Sequence, residues 1–382
     1  MKVLHTSDWH VGRSIRGRSR AEEHVAVLAE IGSIARQEGV DLVVVAGDLF
    51  DTATPSAESE RIVFRALLDL AGTGASVVVV AGNHDSAHRL QAVRPLLELG
   101  RVEARAVGAG PAAGGVIAIR SRDGCEPAKV AVLPFLSQRH VVRATDLMSL
   151  DAGDHGHLYD QRVRQWLAVL TEGFGPETVN LVVAHLSVTG GLLGGGERPA
   201  HTLEQYQVAA AGFPASAQYV ALGHLHRRQR MAGACPIHYC GSPLQLDFGE
   251  TSDVKSVLVI DVAPGVPAAV AEHRLSAGRR LRTLVGSLDD LAPHVGRTGT
   301  DHLRITVLEA PRPGLGDDVR SLFPDCVDVR VVRPDGGTAA EATAAGRSGL
   351  GPTELFGQYL QERGAASDEL VALFAEVLEE VS

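Results

Sequence analysis

Apolar residues along this chain fall into two rhythms, and those rhythms assign most of its elements. Short runs of β-branched residues that end at glycine or at a polar cluster read as buried strands. Residues 3–6, 42–46 and 77–80 are of this kind, and Leu42-Val43-Val44-Val45-Ala46 and Val77-Val78-Val79-Val80 are unbroken. Two segments with helical spacing lie between them. Residues 21–38 put Val25, Leu28 and Ile31 or Ile34 on the buried side and close at Gly39. A second helix, capped by Ser56, carries Ile62, Val63, Leu67 and Leu70. Strand, helix, strand, helix, strand implies right-handed crossovers and a parallel sheet.

Later strands at 130–133, 179–184, 219–222, 237–240 and 257–262 come with fewer helices, so the second half should form a sheet packed on the first. Residues 187–199 are rich in glycine (Gly190, Gly191, Gly194, Gly195, Gly196) and read as a mobile loop. The pattern shifts near Ser276, after which strands at 304–308 and 327–332 and a helix near 288–295 make a small α/β unit. Residues 334–352 have linker composition, and two amphipathic helices, 353–363 and 367–381, follow with Gly364 between them. One apolar stripe runs through Leu370, Leu373, Phe374, Val377, Leu378 and Val381, the other through Leu355, Phe356, Tyr359 and Leu360. Four parts are therefore expected: 1–275, 276–333, the linker 334–352 and the helix-loop-helix 353–382.

At 382 residues the chain exceeds one core, consistent with that division. A net charge of −10 means the chain as a whole is not a basic nucleic-acid binder, although a metal site and a local patch can supply the field. Aromatics at 4% argue against a surface built on base stacking. Only Lys2, Lys129 and Lys255 are lysines, which reads as compositional bias of the genome. Cys125, Cys235, Cys240 and Cys326 form no Cys-x-x-Cys pair, the pattern of a reduced, cytoplasmic chain. Met1 leads straight into a strand, leaving no room for a signal peptide, and no apolar run reaches the ~20 residues that span a bilayer. No membrane association is expected.

The chemistry sits at the strand ends. Asp8-x-His10, Asp48-x-x-Asp51 and Asn83-His84-Asp85 follow three consecutive buried strands; His185 and Gly223-His224-Leu225-His226 follow two later ones. One such cluster alone is as well explained by a capping Asp or a loop His. Five in order, each at a C-terminal strand edge where open α/β sheets put their ligands, point to one cleft. Two Asp, one Asn and four His form an oxygen/nitrogen set without thiolate, which suits manganese, iron or zinc and disfavours calcium. Seven ligands with one shared carboxylate suit two ions, the arrangement used for in-line displacement at phosphorus.

This set resembles the five signatures of the calcineurin-like metallophosphoesterases, all intact between residues 8 and 226. The flanks, Thr6-Ser7-Asp8-Trp9-His10-Val11-Gly12-Arg13, Gly47-Asp48-Leu49-Phe50-Asp51-Thr52 and Gly241-Ser242-Pro243-Leu244, are similar to the branch of DNA-repair nucleases that work with an SbcC-type ATPase. The resemblance implies a two-sheet α/β sandwich flanked by helices, a small α/β capping domain and a C-terminal helix-loop-helix. It implies two divalent ions, Mn2+ before other metals, one held by Asp8, His10, Asp48 and His226 and the other by Asp48, Asn83, His185 and His224. His84, beside a ligand, would protonate the departing sugar oxygen, with Asp85 or Asp51 orienting it; loop hydrogen bonding is an equal reading of the two carboxylates. Arg13, Arg16, Arg18 and Arg20 would follow a DNA backbone.

The implied activity is metal-dependent cleavage of DNA, as an exonuclease on double-stranded ends and an endonuclease on hairpins and single strands. The implied assembly is a homodimer within a heterotetramer, with the C-terminal helices docked on the ATPase; packing of their apolar faces back on the chain's own body is the alternative. That terminal segment holds seven acidic residues (Glu354, Glu362, Asp368, Glu369, Glu376, Glu379, Glu380) against Arg363 alone, so it reads as protein-binding and not DNA-binding. The rival reading is a metallophosphoesterase acting on small phosphodiesters or phosphoproteins, which would turn over those substrates and leave DNA uncut. A non-catalytic scaffold would have lost a ligand, and none is missing.

Overall fold

The computed structural model describes residues 1–137, 152–197 (152–155 by backbone alone) and 206–333, with Phe356, Leu360, Leu370, Val371, Leu373 and Phe374. The expected linker 334–352 and most of the expected helices at 353–382 lie outside the described residues. Among those described, no helix is long and apolar enough to cross a membrane.

The chain folds as two compact units, Met1–Arg282 with Thr300–His302, and Thr283–Gly299 with the residues from Leu303 onward. The first unit contains β1 (Lys2–Thr6), β2 (Leu42–Ala46), β3 (Ser76–Val80), β4 (Val102–Arg105), β5 (Val116–Arg120) and β6 (Pro127–Leu133). It continues with β7 (Val179–His185), β8 (Tyr219–Gly223), β9 (Gln229–Met231), β10 (Ile237–Tyr239), β11 (Ser256–Ala263) and β12 (Val266–Arg274). Its helices are α1 (Ala21–Gln37), α2 (Ala57–Ala71), α3 (Ala87–Leu99) and α4 (Ala152–Thr171). One six-stranded sheet runs β12-β11-β1-β2-β3-β4, with β1 to β4 parallel, and the other runs β9-β10-β8-β7-β6-β5, with β6, β7, β8 and β10 parallel.

Strand alternation explains the layers. In β2 and β3, Val44, Ala46, Val78 and Val80 share a core with Val130, Val132, Leu181 and Val183 of β6 and β7, so one face of each sheet packs on the other. The opposite residues, Val43, Val45, Val77 and Val79, pack on Val27, Leu28 and Ile31 of α1 and Ile62, Val63 and Leu67 of α2. On the far side, Val182, Ala184, Val220 and Leu222 pack on Tyr159, Val163 and Leu167 of α4. The unit is a helix/sheet/sheet/helix sandwich. Ser56 caps α2 as its sequence suggests, accepting the Ser59 N–H at 3.2 Å. In α1 the buried stripe is His24, Val27, Leu28, Ile31 and Ala35, whereas Val25, expected to be buried, is 49% exposed. The stripe is rotated because His24 turns inward, with its ring nitrogens 2.9 Å from the Arg20 carbonyl oxygen and 3.1 Å from that of Trp9.

The second unit is built on a three-stranded sheet ordered Leu281–Gly286, His302–Leu308, Cys326–Val332, the last two parallel. Leu303, Ile305, Val307, Leu315, Val319 and Phe323 form its core. Among the described C-terminal positions, Phe356 and Phe374 stack with centroids 4.3 Å apart.

Candidate metal centre

All five polar clusters come together, and they do so from two sheets: β1, β2 and β3 of one sheet and β7 and β8 of the other deliver them at their C-terminal edges. The two edges touch where His185 Nδ1 lies 2.8 Å from the Ala46 carbonyl oxygen. Sharp turns aim the side chains. Asp8, His10, Asp48 and His224 have φ of 53°, 47°, 51° and 107°, and they are four of the six non-glycine residues with positive φ among the described residues. Such backbone costs of order 1–3 kcal/mol per residue and persists where surrounding structure enforces it. The enforcement is visible: the main-chain N–H of Asp8 donates to Gly47 O, and those of His224 and His84 to Asp8 Oδ1 and Asp48 Oδ1, at 3.0, 2.9 and 2.8 Å. Gly82 has to be glycine here, since a Cβ would lie 2.0 Å from Asp48 Oδ1.

The donor atoms form two adjoining sets and a third that overlaps both. Asp8, His10 and His226 offer atoms within 4.8 Å of one another, as do Asp48, His185 and His224, and so do His10, Asp48 and His84 between them. Asp48 joins the sets, its Oδ2 lying 3.5 Å from His10 Nε2 and 3.5 Å from His185 Nε2. Asn83 Oδ1 lies 3.0 Å from His185 Nε2 and 2.8 Å from His224 Nδ1. Two nitrogen pairs face each other closely, His10 Nε2 with His226 Nε2 at 3.1 Å and His185 Nε2 with His224 Nδ1 at 3.3 Å. Facing lone pairs repel, but nitrogens bound about 2.1 Å from one cation at coordination angles of about 90–110° are separated by roughly 3.0–3.5 Å. These residues fit a pair of divalent cations.

Electrostatics agree. Burial opposes charge on His185, yet the Asp48 carboxylate beside it raises its pKa to about 9, so the cavity draws positive charge. Burial lowers His10 to about 4, which keeps the ring neutral and its lone pair available. Burial raises Asp8 to about 6, with the Asp48 charge adding to the shift.

One expectation needs correction. Arg20 does not reach solvent. It is 1% exposed at the start of α1, where its guanidinium donates to Glu23 at 2.7 and 3.1 Å and to the Gln245 carbonyl. A buried cation is held only with its counter-charge, and Glu23 supplies it. Arg13 is half-buried, 3.2 Å from Asp51, while Arg16 is exposed and Arg18 half-buried. The Asp85 carboxylate accepts the main-chain N–H groups of Leu49, Phe50 and Gly82 and so ties the β2 and β3 loops together. His84 Nδ1 lies 2.7 Å from the Asp51 carbonyl oxygen, which holds the ring from behind.

Sequence reading missed Glu250. Wholly buried, it places Oε1 3.1 Å from His226 Nδ1, while its Oε2 accepts from Lys255 at 2.6 Å and from the Leu246 N–H at 3.1 Å. A carboxylate behind a ligating imidazole fixes which nitrogen faces the metal. Glu250 lies on a single 3-10 turn, Phe248–Glu250, with no apolar strand before it. The available signal was a carboxylate five residues before a rare lysine.

The chain belongs to the calcineurin-like phosphoesterase family, which matches residues 1–228, and its sandwich is the fold of that family. Within the family its relatives are SbcD proteins, each a component of an SbcCD nuclease. SbcD of the Bacillus subtilis (strain 168) SbcCD nuclease is 37% identical over 286 residues, 74% of this chain and 71% of that protein. The proteins of the same name from Rhodobacter capsulatus and Escherichia coli K12 are 35% and 31% identical, covering 76% and 75% of this chain and 76% and 72% of their own. Family and relatives together support a metal-dependent hydrolase of the nuclease and phosphoesterase class.

Proposed function

We propose that this protein is a manganese-dependent DNA nuclease that cuts phosphodiesters at DNA ends and hairpins. The reading rests above all on Asp48, one carboxylate oxygen of which lies 3.5 Å from a histidine of each donor set. Asp8, His10, Asp48 and His226 would hold one ion, and Asp48, Asn83, His185 and His224 the other. When bound, such a pair supplies Lewis-acid activation of the phosphoester and a water-derived nucleophile near neutral pH. Asn83 contributes a neutral amide, which leaves net positive charge in the cleft for a phosphate. His84, its Nδ1 held by the Asp51 carbonyl, would present Nε2 as proton donor to the departing sugar oxygen. Arg13, Arg16 and Arg18 would steer backbone phosphates toward the cleft.

The relatives are named as one component of a two-component SbcCD nuclease, which supports a second chain here. We take that chain to be an SbcC-type ATPase docked on the helices of 353–382. Residues 276–333 would cap the nuclease domain 1–275, and 334–352 would tether the helices. The assembly would be a cytoplasmic heterotetramer containing two copies of this chain. Purified protein incubated with Mn2+ and end-labelled hairpin or linear duplex, with and without the ATPase, tests this. Metal-dependent DNA products, increased by the ATPase, are expected. Rapid turnover of a cyclic nucleotide or a phosphopeptide with DNA left intact would favour the rival phosphoesterase.

A further inference from the structure

Residues 191–197, in the described first part of the connection after β7, are held by several hydrogen bonds. Gln229 of β9 grips Leu192 at both main-chain ends: the Leu192 N–H donates to Gln229 Oε1, and Gln229 Nε2 donates to the Leu192 carbonyl, each at 2.8 Å. Glu197 accepts the N–H groups of Gly194 and Gly195 at 2.7 Å and that of His226 at 3.0 Å, which fastens this segment to a candidate metal ligand. Between these anchors the backbone lies so close that a Cβ at Gly191 would meet Leu225 at 2.5 Å, and one at Gly196 would meet His226 at 3.0 Å. The backbone here is packed against Leu225 and His226, closer than a slack linker would lie.

The loop nevertheless presents two large apolar side chains outward. Leu192 is 58% and Leu193 51% exposed, adjacent leucines held over the segment that carries His224 and His226. Exposed apolar residues scattered singly need no explanation, but two adjacent ones, the first held by its main chain, in a segment packed on a candidate metal ligand do. The clamping residue sits among cations. Arg227, Arg228 and Arg230 are all exposed, and the acidic partners of the first two, Asp253 at 3.8 Å and Glu272 at 3.2 Å, are the weak surface kind that phosphates displace. Cations that hold phosphate beside an apolar pair that faces outward form the arrangement by which proteins force base steps apart.

We propose that Leu192 and Leu193 form a wedge that parts the terminal base pair of a DNA duplex, so that one strand enters the metal cleft while Arg227, Arg228 and Arg230 hold backbone phosphates. This rests on the nuclease reading above, and its test separates the two. Full-length wild type and a Leu192→Ser/Leu193→Ser variant are compared on a blunt duplex with 2-aminopurine in its terminal pair and on the same duplex with a mismatched end. Fluorescence on binding, read in chelator, reports opening without cleavage. Cleavage is then measured with Mn2+.

The wild type should brighten the probe and the variant should not. The variant should lose about tenfold in cleavage of the blunt end and stay within about twofold on the mismatched end, because that end needs no unstacking. Equal losses on both ends, or none, would overturn the wedge. So would unchanged opening with altered oligomeric mass in the variant, which would make the leucines a protein contact. A wild type that opens the end but cuts no DNA would remove the nuclease reading and leave the wedge standing; one that fails to open it removes the wedge.

Discussion

Asp48 and His84 are neighbours in the cleft with opposite duties. Asp48 offers its carboxylate to two donor sets, so no other residue can replace it. His84 donates its main-chain N–H to that carboxylate, while its imidazole is held from behind by a carbonyl. His84→Ala should therefore keep two bound Mn2+ per chain by calorimetry while DNA cleavage falls by about 10²–10⁴-fold, the usual contribution of a general acid. Undiminished cleavage, or loss of an ion, would remove the proton-donor role. At this scale the convergence of the candidate ligands was legible because each cluster follows a strand of unmistakable composition. Arg20 was misread because its counter-charge Glu23 is supplied three residues on by the helix that Arg20 begins, a pairing that an arginine-rich loop does not advertise. Glu250 was invisible because its value comes from tertiary contact with His226.

Parallel strands with unbroken valine runs made the first sheet and its crossovers readable, and the later strands suggested a second layer. Less legible were α3, α4 and β4, where apolar spacing is interrupted by charge. One contact stitches the layers. His5 of β1 crosses to the other sheet, its Nδ1 2.9 Å from the Tyr219 hydroxyl and its Nε2 3.1 Å from the Leu222 carbonyl. Burial lowers its pKa to about 3, with the His238 charge acting in the same direction. The unfolded chain therefore takes up a proton near the ordinary histidine value of ~6.5 and the folded chain does not, so stability is lost as pH falls from there toward 3. Between pH 7 and pH 5 this group accounts for about 2 kcal/mol. Urea unfolding of wild type and His5→Gln at both values should show the variant less sensitive to acid by about that amount, whereas identical sensitivity would contradict a neutral His5.

For the molecule as a whole, net charge gives little guidance to function. A chain at −10 still presents a cleft that draws cations, because charge acts where the dielectric is low and ligands converge. The five motifs could be read as one site from order alone, since parallel strand ends point the same way. That they come from two facing sheets, joined where His185 meets the Ala46 carbonyl, required the fold. The central claim is that two cations share Asp48, and anomalous diffraction from crystals soaked in Mn2+ tests it most directly. Two peaks about 3.5–4 Å apart on either side of the Asp48 carboxylate are predicted, one against Asp8, His10 and His226, the other against Asn83, His185 and His224. A single peak, or two peaks with Asp48 bound to only one of them, would contradict it.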